Sequence, residues 1–171
     1  AFAFDYVSLA IGGENDSHEF APLGDRLLTV RPMESFMQRW SNAMDAAMAK
    51  GILRLIVVGG GAGGVELALG AVAAARRAGI AQEIGLVMEQ DAFLSGHAAG
   101  VQRRALALLQ HKGVAIHYGR AVGHCDGVCL SGGRILFADH VIVATGSRAL
   151  QWLATSGLSV DANGFVRVGA D

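Results

Sequence analysis

Residues 56–68 read IVVGGGAGGVELA: a branched apolar run that breaks at Gly59 and resumes after Gly64 as helix-forming sequence. Three consecutive β-branched residues suit an extended strand, and Val65, Glu66, Leu67 and Ala68 suit a helix. Between them Gly59, Gly61 and Gly64 stand in the spacing G-x-G-x-x-G. A strand, a glycine turn and a helix in that order predict the first unit of a parallel α/β sheet.

Each glycine has its own duty. The first permits the tight turn, the second lets a pyrophosphate approach the backbone, and the third lets helix and strand pack closely. The unpaired N–H groups at the helix start then face the phosphates, so Gly59, Gly60, Gly61, Ala62, Gly63, Gly64 and Val65 form the candidate cradle. Glu66 has two readings that its position leaves open. It is either a carboxylate favoured by the helix dipole in the first turn, or a side chain facing a cofactor cleft.

Working outward, the strand begins at Ile52 (ILRLIVVG) and the helix runs through Ala75. IGLVME (84–89), a helix within AAGVQRRALALLQHKG (98–113) and VAIHYG (114–119) follow. This is β-α-β-α-β, hence a parallel sheet. The second strand ends at Glu89, about 25 residues beyond Gly64, near the offset of an acidic residue that accepts hydrogen bonds from an adenosine ribose. Glu89, with Gln90 beside it, is read in that role in preference to a solvated charge. A carboxylate there repels a 2′-phosphate, and QDAFLSGHAAG (90–100) holds no arginine to offset it. NAD(H) is therefore expected to bind more tightly than NADP(H).

Residues 120–138 are split by Asp126-Gly127 and Ser131-Gly132-Gly133, which predicts an antiparallel meander in place of a crossover helix. It leads into the strand HVIVATG (140–146). The expected fold is an α/β, Rossmann-like parallel sheet in the order 3-2-1-4, counting from the strand at Ile52, with that meander as its last connection.

Upstream, Met33, Phe36, Met37, Trp40, Met44, Ala47 and Met48 recur at helical spacing between Pro32 and Gly51, predicting one amphipathic helix with a core-facing methionine stripe. GGENDSHEFAPLGD (12–25) has no periodicity and reads as loop. DYVSLAIGG (5–13) and DHVIVATGS (139–147) are similar to each other, sharing Asp5 with Asp139, Val7 with Val141, Ala10 with Ala144 and Gly12 with Gly146. Both read as strands that run out into a glycine turn.

Composition narrows the class. With 171 residues, 52% of them hydrophobic, and 24 glycines, the chain suits one domain with buried parallel strands covered by helices on both faces. A net charge of −1 gives no footprint for nucleic acid or an anionic membrane. The apolar window from Leu55 to Ala75 is interrupted by Glu66 and the glycine turn, so no membrane span is expected. AFAFDY lacks the basic region of a signal peptide, which makes a cytoplasmic origin the expectation. The two cysteines flank Asp126-Gly127, read as a two-residue turn that pairs Cys125 with Val128 and His124 with Cys129. That register sends the thiols to opposite faces. They are expected to stay reduced and unbridged, and His124, Cys125 and Cys129 to bind no metal.

IVVGGGAGGVELA, LVMEQDAFL, GVAIHYG and DHVIVATGSRALQWLATSGLSVDANGFV, taken in order, resemble the NAD-binding domain of the pyridine nucleotide-disulfide oxidoreductase superfamily. The similarity is to type II NADH dehydrogenases and to the oxidoreductase half fused to selenide, water dikinase. The resemblance implies an NAD domain inserted into an FAD domain, each with a strand ending in an A-T-G-like turn. DYVSLAIGG would be that strand of the flavin domain and DHVIVATGS its counterpart. The implied boundaries are 1–30 for the flavin-domain remnant and loop, 31–50 for a linking helix, 51–150 for the NAD domain and 151–171 for the return toward the flavin domain. By position, Gly59 to Gly64 would hold the NAD pyrophosphate and Glu66 would lie near the nicotinamide. Glu89 would hold the ribose, and Ala144, Thr145 and Gly146 would line the cleft.

The family's flavin glycine loop and its Gly-Asp flavin motif do not occur in these residues, nor does a redox dithiol. The resemblance thus implies NADH passing a hydride to FAD in the complete enzyme. It implies no flavin and no turnover in this chain alone, and no catalytic acid or base. A non-catalytic nucleotide-sensing module is the alternative from another class. A methyltransferase, whose glycine loop also precedes an acidic strand end, is weaker, because Gly64 and the A-T-G strand do not suit it.

Overall fold

A computed structural model describes residues 5–169. The AFAF start and residues 170 and 171, within the segments read above as a chain lacking a signal peptide and as a return segment, lie outside the described residues. The chain divides into two compact units. One is Asn15–Gly146, and the other gathers the chain ends, up to Glu14 and from Ser147 onward.

In the larger unit a 3-10 segment, His18–Arg26, leads into strand β1 (Leu27–Thr29) and helix α1 (Met33–Lys50). Then come β2 (Ile52–Val58), α2 (Ala62–Ala78), β3 (Ala81–Met88), α3 (Ala99–His111) and β4 (Val114–Tyr118). The hairpin strands β5 (Ala121–His124), β6 (Gly127–Leu130) and β7 (Ile135–Phe137) precede β8 (His140–Val143). Five strands form a parallel sheet in the order β1-β8-β2-β3-β4, and β5-β6-β7 form an antiparallel sheet. The expected order 3-2-1-4 is found in β4-β3-β2-β8, with β1 added beside β8.

Alternation along the strands divides the core in two. Leu53, Leu55 and Val57 of β2, Leu86 of β3 and Ile142 of β8 pack against the buried residues of all three helices. Ile56 and Val58 of β2, Val87 of β3, and Val141 and Val143 of β8 pack against Phe20, Leu23, Val128 and Leu136. This corrects the expectation of helices on both faces. The second face is covered by the meander and the 3-10 segment, whose apolar side chains hide the strands equally well.

Four further readings are corrected. Residues 6–13 form no strand: Tyr6 is 95% exposed and Val7 63%, and their one β-bridge nearby joins Glu14 to Arg148. An apolar run becomes a strand only in a β-ladder, and among the described residues no ladder includes 6–12. Part of the segment read as loop, 12–25, is instead the start of the 3-10 segment. Phe20 and Leu23 are buried there, and Gly123 admits the Phe20 backbone where a Cβ would come within 2.7 Å of it. Helix α1 buries Phe36, Ala43 and Ala47, with Trp40 stacked on Phe36, while Met33, Met37 and Met48 are exposed on its flank. The stripe facing the core is thus aromatic and alanine more than methionine. Finally, the hairpin turns at Cys125-Asp126, pairing His124 with Gly127 and Val122 with Cys129. Gly127 has φ +150°, and a Cβ on it would overlap the Leu136 carbonyl, so it serves the close approach of β7 and not the turn.

In the smaller unit, Glu14 and Arg148 exchange backbone hydrogen bonds at 2.9 and 2.7 Å. A 3-10 turn spans Gln151–Thr155, and Val160 bridges Val166 around a turn in which the Asp161 carboxylate accepts from the N–H groups of Asn163 and Phe165. Among the described residues no helix is long and apolar enough to cross a membrane.

Candidate functional site

The carboxyl ends of β2, β3, β4 and β8 open into one cleft of about 480 Å³, lined by residues 58–61, 87–89, 119–121 and 144–146. Parallel strands carry ligands at this end, because the turns there lead to helix N-termini. The walls are set by the backbone. Gly59 N–H donates to the Val87 carbonyl at 2.9 Å and Ala144 N–H to the Val58 carbonyl at 2.8 Å, continuing the sheet past its last residues.

The glycines of the turn divide into two kinds. Gly59 has φ +132°, and a Cβ there would lie 2.6 Å from the Ala144 carbonyl oxygen. Gly60 would press on Met88 at 2.8 Å, and a Cβ on Gly64 would overlap the Gly59 carbonyl. Those three are required by packing. Gly61 and Gly63 face open space, with nothing within 4 Å of an added Cβ. Gly61 is the N-cap of α2 and makes no side-chain capping bond, so the first N–H groups of the helix are left for another acceptor. The exposed room at Gly61 is a cradle that a side chain would fill.

Of the residues singled out in the sequence, Gly59, Gly60, Gly61, Glu89, Ala144, Thr145 and Gly146 line this cleft. Glu89 is exposed and starts a turn in which Ala92 N–H donates to its carbonyl at 3.0 Å. Gln90 does not line the cleft, nor do Ala62, Gly63, Gly64, Val65 and Glu66. Gly64 and Val65 are buried in the helix packing. Glu66 and Gly63 line a separate apolar groove with Phe36, Met37 and Trp40 of α1. Because α2 starts at Ala62, Glu66 lies beyond the first turn, which removes the dipole reading of its carboxylate.

The cleft also holds residues that the sequence reading missed. Arg120 follows β4, and Asp16, His18 and Glu19 come from the segment read as loop. Arg120 was within reach: it lies just past a predicted parallel strand, at the end where ligands bind. Arg120 Nη2 donates to Glu19 Oε1 at 2.6 Å, and His18 Nδ1 meets Asp16 Oδ1 at 2.6 Å. The hydrogen bond from Arg120 holds the Glu19 carboxyl below its ordinary range, and the bond to Glu19 raises the basicity of Arg120.

Away from the cleft, ligand atoms of His124, Cys125 and Asp126 lie within 4.8 Å of one another. His124 Nδ1 accepts the Asp126 N–H at 3.2 Å, so the nitrogen is engaged in the hairpin turn itself. Both cysteines are free thiols, and Cys129 Sγ contacts the Leu130 carbonyl at 3.6 Å.

A Rossmann-type sheet with a glycine turn at the mouth of α2 defines a dinucleotide-binding class of domain. The family comparison agrees: the chain matches the pyridine nucleotide-disulphide oxidoreductase family over residues 1–171 and belongs to it. No curated protein matches. Among 115 matching chains of solved structures is reduced Bacillus anthracis CoADR-RHD, with a TM-score of 0.67 and 20% identity over 90% of this chain. At that identity the likeness is one of fold. The chain spans 27% of the length of that protein.

Proposed function

We propose that this chain is the NAD(H)-binding domain of an FAD-dependent NAD(P)H oxidoreductase, presenting NADH to a flavin carried by the rest of the protein. The observation that carries the reading is Gly61, where open space adjoins the uncapped N-terminus of α2, in the same cleft as Glu89. The pyrophosphate would take the backbone N–H groups from Gly61 to Gly64, whose partial positive charge suits an anion. Glu89 would accept hydrogen bonds from the adenosine ribose hydroxyls. Ala144, Thr145 and Gly146 would form the opposite wall.

When bound, NADH supplies a hydride, which with one proton reduces the flavin and leaves NAD⁺. This chain's part is to bind and orient; no acid or base in it takes a proton in that transfer. The alternative, a module that senses nucleotide without hydride transfer, uses the same cleft. Titration of this chain with NADH and NADPH, by calorimetry or nucleotide fluorescence, tests the site. NADH binding in preference to NADPH is expected, and absence of NADH binding overturns the proposal. Absorbance in the flavin bands and an NADH oxidation assay, with and without FAD, test the division of labour. Oxidation by the full-length protein and none by this chain is expected; none by either would leave the sensing module as the better reading.

A further inference from the structure

We propose that Arg120 is a second determinant of which dinucleotide this cleft takes: a guanidinium placed to meet a ribose 2′-phosphate, and withheld from it by Glu19. The inference rests on the nucleotide site proposed above and names a specificity device within it. It starts from strand register. Met88, the last residue of β3, pairs with Tyr118, the last of β4, and Gly119 N–H donates to the Met88 carbonyl at 2.9 Å. Glu89 and Arg120 therefore leave neighbouring strand ends, and both line the cleft. Glu89 is close enough for its charge to raise the basicity of Arg120 further. A cation beside the residue assigned to the ribose is where a 2′-phosphate would project.

Arg120 is not available for that contact as it stands. Glu19 takes its Nη2 at 2.6 Å, and Glu19 is fixed because the next residue, Phe20, is buried against β5. Asp16 and His18 line the cleft as well. One guanidinium thus faces the carboxylates of Glu19 and Glu89, with Asp16 nearby. A phosphate that enters must displace Glu19 and approach the remaining carboxylates, whereas ribose hydroxyls meet no such penalty. The cleft contains the cation that a phosphorylated ribose needs, and a carboxylate that keeps it occupied.

The test uses this chain, titrated calorimetrically with NADH and NADPH as wild type, Glu19→Gln, Arg120→Ala and the double variant, with circular dichroism on the same samples. The Arg120 side chain is exposed and that of Glu19 partly so, and neither belongs to the core, so native spectra are expected. Glu19→Gln should improve NADPH affinity relative to NADH by about 5- to 10-fold, as expected for freeing one charge-assisted contact. The double variant should lose that gain, and Arg120→Ala alone, which leaves the Glu19 carboxylate unpaired in the cleft, should weaken NADPH more than NADH through repulsion of its extra phosphate. An unchanged ratio in Glu19→Gln while both nucleotides still bind overturns the inference. So does a gain that survives in the double variant, or an equal loss of both nucleotides in Arg120→Ala, the mark of a guanidinium serving the adenine or the shared phosphates. Wild-type protein that binds neither nucleotide would overturn the nucleotide site itself, and this inference with it.

Discussion

The α-carbon of Gly64 rests against the carbonyl oxygen of Gly59, leaving no room for even a methyl group between α2 and the turn that precedes it. Two residues of one motif therefore hold the strand and helix together, while a Cβ added to Gly61, between them in the chain, would meet nothing within 4 Å. Substitutions at Gly64 and Gly61 should fail in different ways.

Gly64→Ala should destabilise the fold by about 1–3 kcal/mol, the cost of forcing extra volume into a packed contact. Gly61→Val should leave the urea midpoint nearly unchanged and abolish NADH binding, since its side chain would occupy the open cradle. Denaturation and titration on the same preparations separate the two effects.

Glu89→Arg should reverse the nucleotide preference, favouring NADPH over NADH. A 2′-phosphate facing the native carboxylate costs on the order of 1–3 kcal/mol, and an arginine turns that into an attraction. Competition titrations with both nucleotides measure the reversal.

Acidification should weaken the fold through half-buried imidazoles. Burial holds His140 below the ordinary histidine range, with Asp139 opposing and Lys50 and Arg26 adding to the shift. His117 is lowered by burial and by Arg134. Each is neutral when folded at a pH where the unfolded chain takes up a proton, so stability is full above about pH 6.5 and falls as pH drops below it. The loss from each ends once pH passes its lowered folded value. Urea midpoints at pH 8 and pH 5.5 should differ in the wild type, and by less in His140→Leu, with His117 retaining part of the slope.

Leu109→Ala should cost about 2–5 kcal/mol, because Leu109 is the buried residue by which α3 joins the core. Leu108→Ala, at a position 42% exposed one residue earlier, should change stability by less than about 0.5 kcal/mol. Thermal unfolding of the two variants makes the comparison.

The central β-α-β-α-β run and β8 were legible because each element carries its own pattern: branched apolar strands, glycine turns and helices of three or more turns. What escaped depends on partners distant in the chain. Leu27, Leu28 and Thr29 are too few to show a period and become a strand by pairing with Val141, Ile142 and Val143. Asp126-Gly127 has the composition of a hairpin turn, yet contact with Leu136 draws Gly127 into the strand, which moves the turn by one residue and the cross-strand pairing by two. At the cleft, Gly59, Glu89 and the Ala144–Gly146 stretch could be found from spacing along the chain. Arg120 needed the side-by-side order of β3 and β4, and Glu19 needed the burial of Phe20.

Asn15 Nδ2 donates to the Gly146 carbonyl at 3.4 Å, so the larger unit begins and ends at a single doorway. A body built this way can be spliced into a host chain at one loop, as a cassette, without rethreading either partner. The same closeness makes it a candidate for circular permutation. A short linker from 146 to 15 would close the ring, and the exposed Gly132-Gly133 turn offers a place to open new termini with the glycine cradle and its sheet left unbroken.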